Sequence, residues 1–374
     1  MIAGLEHLLE SSGQAGLAEL RELLDELFGC ERSAEGERRN CRLAEEKMLQ
    51  PKGQRVFRVR FELDGAPRSV IIKRLKPEIA QRNELLAQRW LRAVGLVGTG
   101  PPLLGSASAR TGECVWHVYE DLGFWELNPR EPDPTRVETA VNLIAEVHKR
   151  FARHALLGEV RLYGGDLGIH FYESNVRDAI YGLEGWQPAP AESELRARLL
   201  RRLYQLQNEL PKRAEALSKW GGPETLLHGD LWAINVFVIQ TASGPQARLI
   251  DWDHVAVGQA SYDLSTFLLR FSAPHRRWIL ELYRKAMADG PWRLPGECEL
   301  NLLFETHEFA RYANRIIWAA IALATERVDW GAQELATIED WFEQFQPVFP
   351  PETPAPFSKC QGQSSAPRAA PVPA

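Results

Sequence analysis

The chain is poor in cysteine, with five in 374 residues (Cys30, Cys41, Cys114, Cys298 and Cys360) and none in C-x-x-C spacing. That argues against a disulfide framework or a cysteine-built zinc site, and implies a reducing compartment. No apolar run approaches the ~18 residues of a membrane-spanning helix, so no membrane partner is expected. Met1-Ile2-Ala3-Gly4-Leu5 has neither the basic flank nor the long apolar run of a signal peptide, and the expected localisation is cytoplasmic. Lys and Arg form no block and the net charge is -6, which argues against a nucleic-acid partner. Internal repeats are absent as well.

Apolar residues, by contrast, make up 45% of the chain, enough for two cores at this length. Among them three polar groups stand in otherwise apolar runs. Asp230 and Asn235 lie in Leu227-His228-Gly229-Asp230-Leu231-Trp232-Ala233-Ile234-Asn235-Val236-Phe237, and Asp251 lies in Ala247-Arg248-Leu249-Ile250-Asp251-Trp252-Asp253. Carboxylates among apolar residues are costly unless each has a partner, so the pattern points to metal, phosphate or proton-transfer chemistry. Phosphoryl transfer needs this set: a carboxylate to take the attacking hydroxyl's proton, and an amide oxygen and a second carboxylate for the magnesium on the nucleotide phosphates. The register H-x-D-x-x-x-x-N is the one protein kinases use. Leu226-Leu227 and Val236-Phe237-Val238-Ile239 read as short buried strands flanking the loop, and a hairpin turning at residues 241–245 would return Asp251 beside Asn235.

On these residues the chain resembles the aminoglycoside phosphotransferase and choline kinase superfamily, which carries H-G-D where protein kinases have H-R-D. The resemblance implies an α+β, two-lobed protein-kinase-like fold, with a small antiparallel-sheet N-lobe and a mainly helical C-lobe. It implies ATP and Mg2+ as cofactors and a small-molecule hydroxyl acceptor. Asp230 would be the catalytic base, Asn235 and Asp251 the metal ligands, and His228 and Asp263 the supports of the loop. Gly229 replaces the arginine that reads activation-loop phosphorylation in protein kinases.

In the small lobe, Phe57, Val59, Phe61 and Leu63 alternate with Arg58, Arg60 and Glu62, a half-buried strand. Asp64-Gly65 reads as a hairpin turn into Ser69-Val70-Ile71-Ile72-Lys73. Lys73 resembles the lysine that reaches the nucleotide's α and β phosphates. Its acidic partner is expected on a helix over residues 79–94, at Glu84 or alternatively Glu78. The phosphate-covering turn falls on residues 49–55, where Gly53 is the one glycine. Val115-Trp116-His117-Val118-Tyr119 is a further strand, and Glu120-Asp121-Leu122-Gly123 would be the interlobe hinge, with Glu120 and Leu122 against the adenine.

The expected organisation is an N-terminal extension and linker over 1–41, a nucleotide-binding lobe over 42–121, a catalytic and substrate-binding lobe over 122–349, and a disordered Pro-rich tail over 350–374. Leucines in residues 1–29 suit two short helices that either cap the small lobe or form a dimer face. A helix beginning near Asp133-Pro134-Thr135 has either Asp133 or Thr135 as its cap. Its inner face carries His148, read as a satisfied core histidine. A helix is expected over 191–217 and further helices over 275–346. Asp166, Glu173, Asp178 and Glu308 are candidates for the acceptor wall. A protein kinase and a nucleotide-binding pseudokinase are the competing functions; the first lacks room for an activation loop, and the second would have a broken Asp-Asn-Asp set.

Overall fold

The computed structural model describes residues 2–9, 13–29, 41–50, 55–325 and 330–350. A five-stranded antiparallel sheet is built from β1 (Cys41–Met48), β2 (Val56–Leu63), β3 (Ala66–Leu75), β4 (Leu103–Ser108) and β5 (Val115–Glu120), in spatial order β1-β2-β3-β5-β4. Asp64 and Gly65, with φ of 50° and 80°, make the tight β2–β3 turn, since two left-handed residues match the twist of a hairpin. One sheet face buries Phe57, Val59, Phe61, Val70, Ile72, Trp116 and Val118. The N-terminal segment covers that face with Leu5, Leu8 and, from α1 (Leu17–Leu24), Leu20 and Leu24. Trp116 donates its indole N–H to the Ala15 carbonyl at 2.9 Å. The extension therefore caps the small lobe.

Between β3 and β4, α2 (Pro77–Leu85) continues through the wider turn Leu86–Trp90 into α3 (Leu91–Ala93). This helix starts two residues earlier than its apolar stripe suggests, because Pro77 has no N–H to satisfy and suits the first turn. Gly95, at φ 71°, stops it.

The rest is mainly helical: α4 (Pro134–Phe151), α5 (Leu157–Tyr163), α6 (Ile169–Gly185), α7 (Ser193–Asn208), α8 (Leu210–Trp220), α9 (Ser261–Leu268), α10 (Ala273–Ala286), α11 (Glu297–Thr325) and α12 (Trp330–Gln344). Asp133 caps α4 by accepting from the Arg136 backbone N–H at 2.9 Å. The single helix expected over 191–217 is two, α7 and α8. Pro211 lacks the N–H that would continue the first, and it sits in the opening turn of the second. The stripe of α4 (Val137, Val141, Ile144, Ala145, Phe151) shares the main core with Leu249, Phe267 and Phe304. A second helical core gathers Tyr172, Leu203, Phe309 and Phe342. Each buried side chain of this size contributes roughly 2–3 kcal/mol. Among the described residues no helix is long and apolar enough to cross a membrane.

Two short ribbons position the polar residues. β6 (Glu224–Leu227) pairs with β9 (Ala256–Gln259), and β7 (Val236–Thr241) pairs with β8 (Gly244–Leu249). The loop carrying Asp230 joins β6 to β7, and Asp251 follows β8. β1, β4 and β9 had no counterpart in the sequence reading: β4 is short and half-exposed, and β9 follows Asp251 without a turn signal. Gly53, the linker of residues 31–40 and the tail from residue 351 lie outside the described residues.

Candidate active site

Asp263 holds the β6–β7 loop from beneath. Its Oδ2 accepts from the His228 backbone N–H at 2.7 Å, and its Oδ1 accepts from Gly229 N–H at 3.0 Å. His148 Nε2 lies 3.3 Å from the same Oδ2, and its Nδ1 lies 2.8 Å from the Tyr283 hydroxyl, so this histidine is a satisfied core group. Burial pushes the Asp263 carboxyl upward, but His148, His228 and the backbone bonds outweigh it and keep the pKa below the usual carboxylate value.

Gly229 is fixed by sterics. At φ 81°, a Cβ there would lie 1.9 Å from the His254 carbonyl oxygen, closer than any side chain can tolerate. His228 crosses to the other ribbon, with Nε2 2.8 Å from the Ile250 carbonyl. That carbonyl can only accept, so Nε2 carries the proton, and Nδ1 is left to accept from Asp230 N–H at 3.3 Å. The ring also packs on Trp252, with centroids 4.5 Å apart.

These contacts deliver three groups to one cleft of about 1130 Å³, lined among others by Lys73, Asp230, Asn235 and Asp251. Asn235 donates its amide N–H to the Asp230 carbonyl at 2.9 Å, which leaves the amide oxygen for a cation. The Asn235 carbonyl accepts from Ile250 N–H at 2.9 Å, bringing Asp251 alongside. Asp251 itself is left-handed, at φ 62° and ψ 54°. For a non-glycine residue that costs about 1–2 kcal/mol, and such strain gathers at functional sites. Burial raises the Asp230 pKa, with a smaller push from Asp251, and His254 and His228 only partly oppose it.

Lys73 lies at the far wall of the cleft. Its Nζ is ion-paired with Asp251 and meets Asp253 Oδ1 at 2.8 Å. Burial alone would lower the lysine pKa, but the two carboxylates raise it, so the ammonium persists. The same interaction holds the Asp251 carboxyl low against the upward push of burial. The partner expected on the helix is absent from this arrangement. Glu84 reaches His117 Nε2 at 3.1 Å instead, and neither it nor Glu78 pairs with Lys73. The helix residue that joins this group is Asn83, which donates to Asp253 Oδ1 at 2.9 Å. Burial keeps the His117 pKa low in spite of Glu84.

Glu120 and Leu122 line the cleft where β5 leaves the sheet, and Leu49, Gln50 and Arg55 line it as well. Arg58, expected on a solvated strand face, is buried. It ion-pairs with Asp121 at 2.8 Å and reaches the Gly123 carbonyl at 3.1 Å. Ser69 Oγ adds a 2.6 Å bond to Asp121. A buried arginine needs such a partner, and the alternation of β2 could not reveal one 63 residues downstream.

The acceptor-wall candidates are dispersed. Asp166 pairs with Arg161 at 2.7 Å and accepts from Gly168 N–H at 2.8 Å. Glu173 faces His170 at 3.5 Å, and Asp178 faces Arg177 at 2.9 Å. Glu308, 5% exposed, is ion-paired with Arg311. None of these four lines the cleft.

Residues 50–298 match the phosphotransferase enzyme family known as APH. A search of curated proteins finds no match. Among solved structures, spectinomycin phosphotransferase in complex with ADP and spectinomycin aligns at TM-score 0.54 and 14% identity, over 90% of this chain and 96% of that one. The GDP and kanamycin complex of APH(2")-IIia aligns at 0.54 and 16%, over 81% and 95%. Plasmodium vivax ethanolamine kinase aligns at 0.51 and 12%, over 79% and 82%. At such identities the likeness establishes the fold, an α+β kinase-like architecture with an antiparallel sheet and a helical body.

Proposed function

Because the chain belongs to the phosphotransferase enzyme family, we propose that it is an ATP-dependent O-phosphotransferase that moves the γ-phosphate to a hydroxyl of a small molecule. The observation that carries this reading is the convergence of Asp230, Asn235, Asp251 and Lys73 on one cleft. Asp230 takes the proton of the attacking hydroxyl, and its raised pKa suits a general base. Lys73 supports the α and β phosphates, and Asp253 with Asn83 orients it in the place expected for Glu84.

The Asp251 carboxylate and the Asn235 amide oxygen are hard oxygen donors facing the same space, a set that fits Mg2+ shared with nucleotide phosphates. Bound there, the ion would neutralise phosphate charge. Glu120 and Leu122 would meet the base at the exit of β5, and Gly53 would lie over the phosphates. The organisation proposed is a nucleotide lobe over 42–121 and a catalytic lobe over 122–349, working in the cytoplasm. Spectinomycin phosphotransferase is a complex with ADP and the APH(2") enzyme one with GDP, so both triphosphates belong in the test.

Two competing readings are disfavoured by particular features. A protein-kinase activation segment has no place, since after Asp251 a single turn (Trp252–His254) leads directly into β9. A pseudokinase would be expected to lack one of the three polar groups that are together here. The test is release of ADP or GDP by the purified chain against a panel of small alcohols. Phosphorylated product with one of them is expected; phosphate appearing only on protein would overturn the reading.

A further inference from the structure

The loop that carries Asp230 has two sides. Asp230, Ile234 and Asn235 line the cleft; Trp232, 37% exposed, lies outside that lining, and its side chain hydrogen-bonds the Asp230 carboxylate. Over its indole, 3.5 Å from the ring centroid, lies the guanidinium of Arg270, at the end of α9. Among the described residues no carboxylate is within ion-pair distance of that guanidinium, although the charges of Glu308 and Asp230 are close enough to act on it. Stacking occupies the flat face of a guanidinium and leaves its in-plane N–H groups free for a planar anion.

The carboxylates expected to form an acceptor wall are already engaged. Glu308 is held by Arg311, Asp166 by Arg161 and Asp178 by Arg177. Arg270 also adjoins Leu269, which with Tyr312 and Trp341 lines a hollow of about 340 Å³. Arg276, on the wall of that hollow, donates to the carbonyls of Phe271 and Val348 and has no carboxylate partner among the described residues. This side of the catalytic loop therefore presents a free cation where a site for polycations would present free acids.

An acceptor must approach Asp230 from the side the nucleotide leaves open. Resting on the phosphotransferase reading above, we propose that the acceptor is a hydroxyl compound bearing a carboxylate or phosphate. Arg270, braced on Trp232, binds that anionic group and orients the hydroxyl toward Asp230.

The full-length chain is assayed with MgATP against matched sets: gluconate and glucose 6-phosphate, neutral glucose, and 2-amino-2-deoxyglucose, with glycerate, glycerol and ethanolamine as a smaller set. Binding of MgATP and of MgGTP is measured separately by calorimetry. The anionic members are expected to have kcat/KM at least tenfold above their neutral and cationic counterparts. Arg270→Gln should lower that value by about 10- to 100-fold through KM, since a charge-assisted bond to an ion is lost. The KM for ATP and the unfolding midpoint should stay near wild type. Preference for the amino compounds, equal loss for neutral and anionic acceptors in Arg270→Gln, or no transfer to any member while MgATP binds would each overturn the proposal and leave the phosphotransferase reading standing. Failure to bind either MgATP or MgGTP would instead overturn the phosphotransferase reading.

Discussion

Asp263→Asn offers a stringent test of how the catalytic loop is held. The carboxylate is 1% exposed and accepts from two successive backbone N–H groups, one on each oxygen, with His148 beside it. An amide has a single acceptor oxygen, so its NH2 must face one of those N–H groups, donor against donor. One charge-assisted bond is lost, at about 1.5–3 kcal/mol, and one buried N–H is left unsatisfied, at about 1–3 kcal/mol. Together these cost about 2.5–6 kcal/mol, against a total stability of about 5–15 kcal/mol. Equilibrium unfolding in urea, followed by tryptophan fluorescence, measures the loss directly. Turnover should fall at least tenfold, because Gly229 and then Asp230 follow from the anchored His228. A loss under about 1 kcal/mol with unchanged turnover would refute the reasoning.

The partner of Lys73 can be tested by contrast: Asp253→Ala should weaken MgATP binding at least tenfold in calorimetry, and Glu84→Gln should leave it nearly unchanged, because Glu84 meets His117. The reverse order would restore Glu84 as the lysine's partner. His307, fully buried and 2.9 Å from Ser261 Oγ, has its pKa lowered to about 3 by burial, with Arg311 adding to the shift. The unfolded chain therefore takes up this proton first as pH falls below ~6.5, and the contribution of neutral His307 is lost progressively toward pH 3. His307→Gln should reduce the stability difference between pH 7 and pH 4 by about 2–4 kcal/mol, at roughly 1.4 kcal/mol per pH unit; identical pH profiles would contradict the assignment.

The features legible in the sequence share a cause. His228, Gly229, Asp230, Asn235, Asp251 and Asp263 sit in short segments where local geometry fixes what each residue can do, and Gly229 cannot carry a side chain at all. Alternation likewise revealed β2, and short apolar runs revealed β3 and β5. The features that were not legible depend on pairings across the fold. Asp253 meets Lys73 from 180 positions away, and Arg58 meets Asp121 across the sheet edge. Helix periodicity offered Glu84 because it borders the apolar stripe, yet the α2 residue that reaches the lysine's partner Asp253 is Asn83. The wall acids could not be recognised as neutralised, since Arg161 and Arg311 show their direction only in three dimensions.

The central claim is that Asp230 takes the proton from an acceptor hydroxyl while the other cleft residues hold the nucleotide. The direct measurement pairs calorimetric titration of Asp230→Asn with MgATP and a turnover assay on the best acceptor found for the wild type. Nucleotide affinity should stay within a few-fold of wild type, and turnover should fall by roughly 10²- to 10⁴-fold, the contribution of a general base. Unchanged turnover, or loss of nucleotide binding in step with it, would contradict the account.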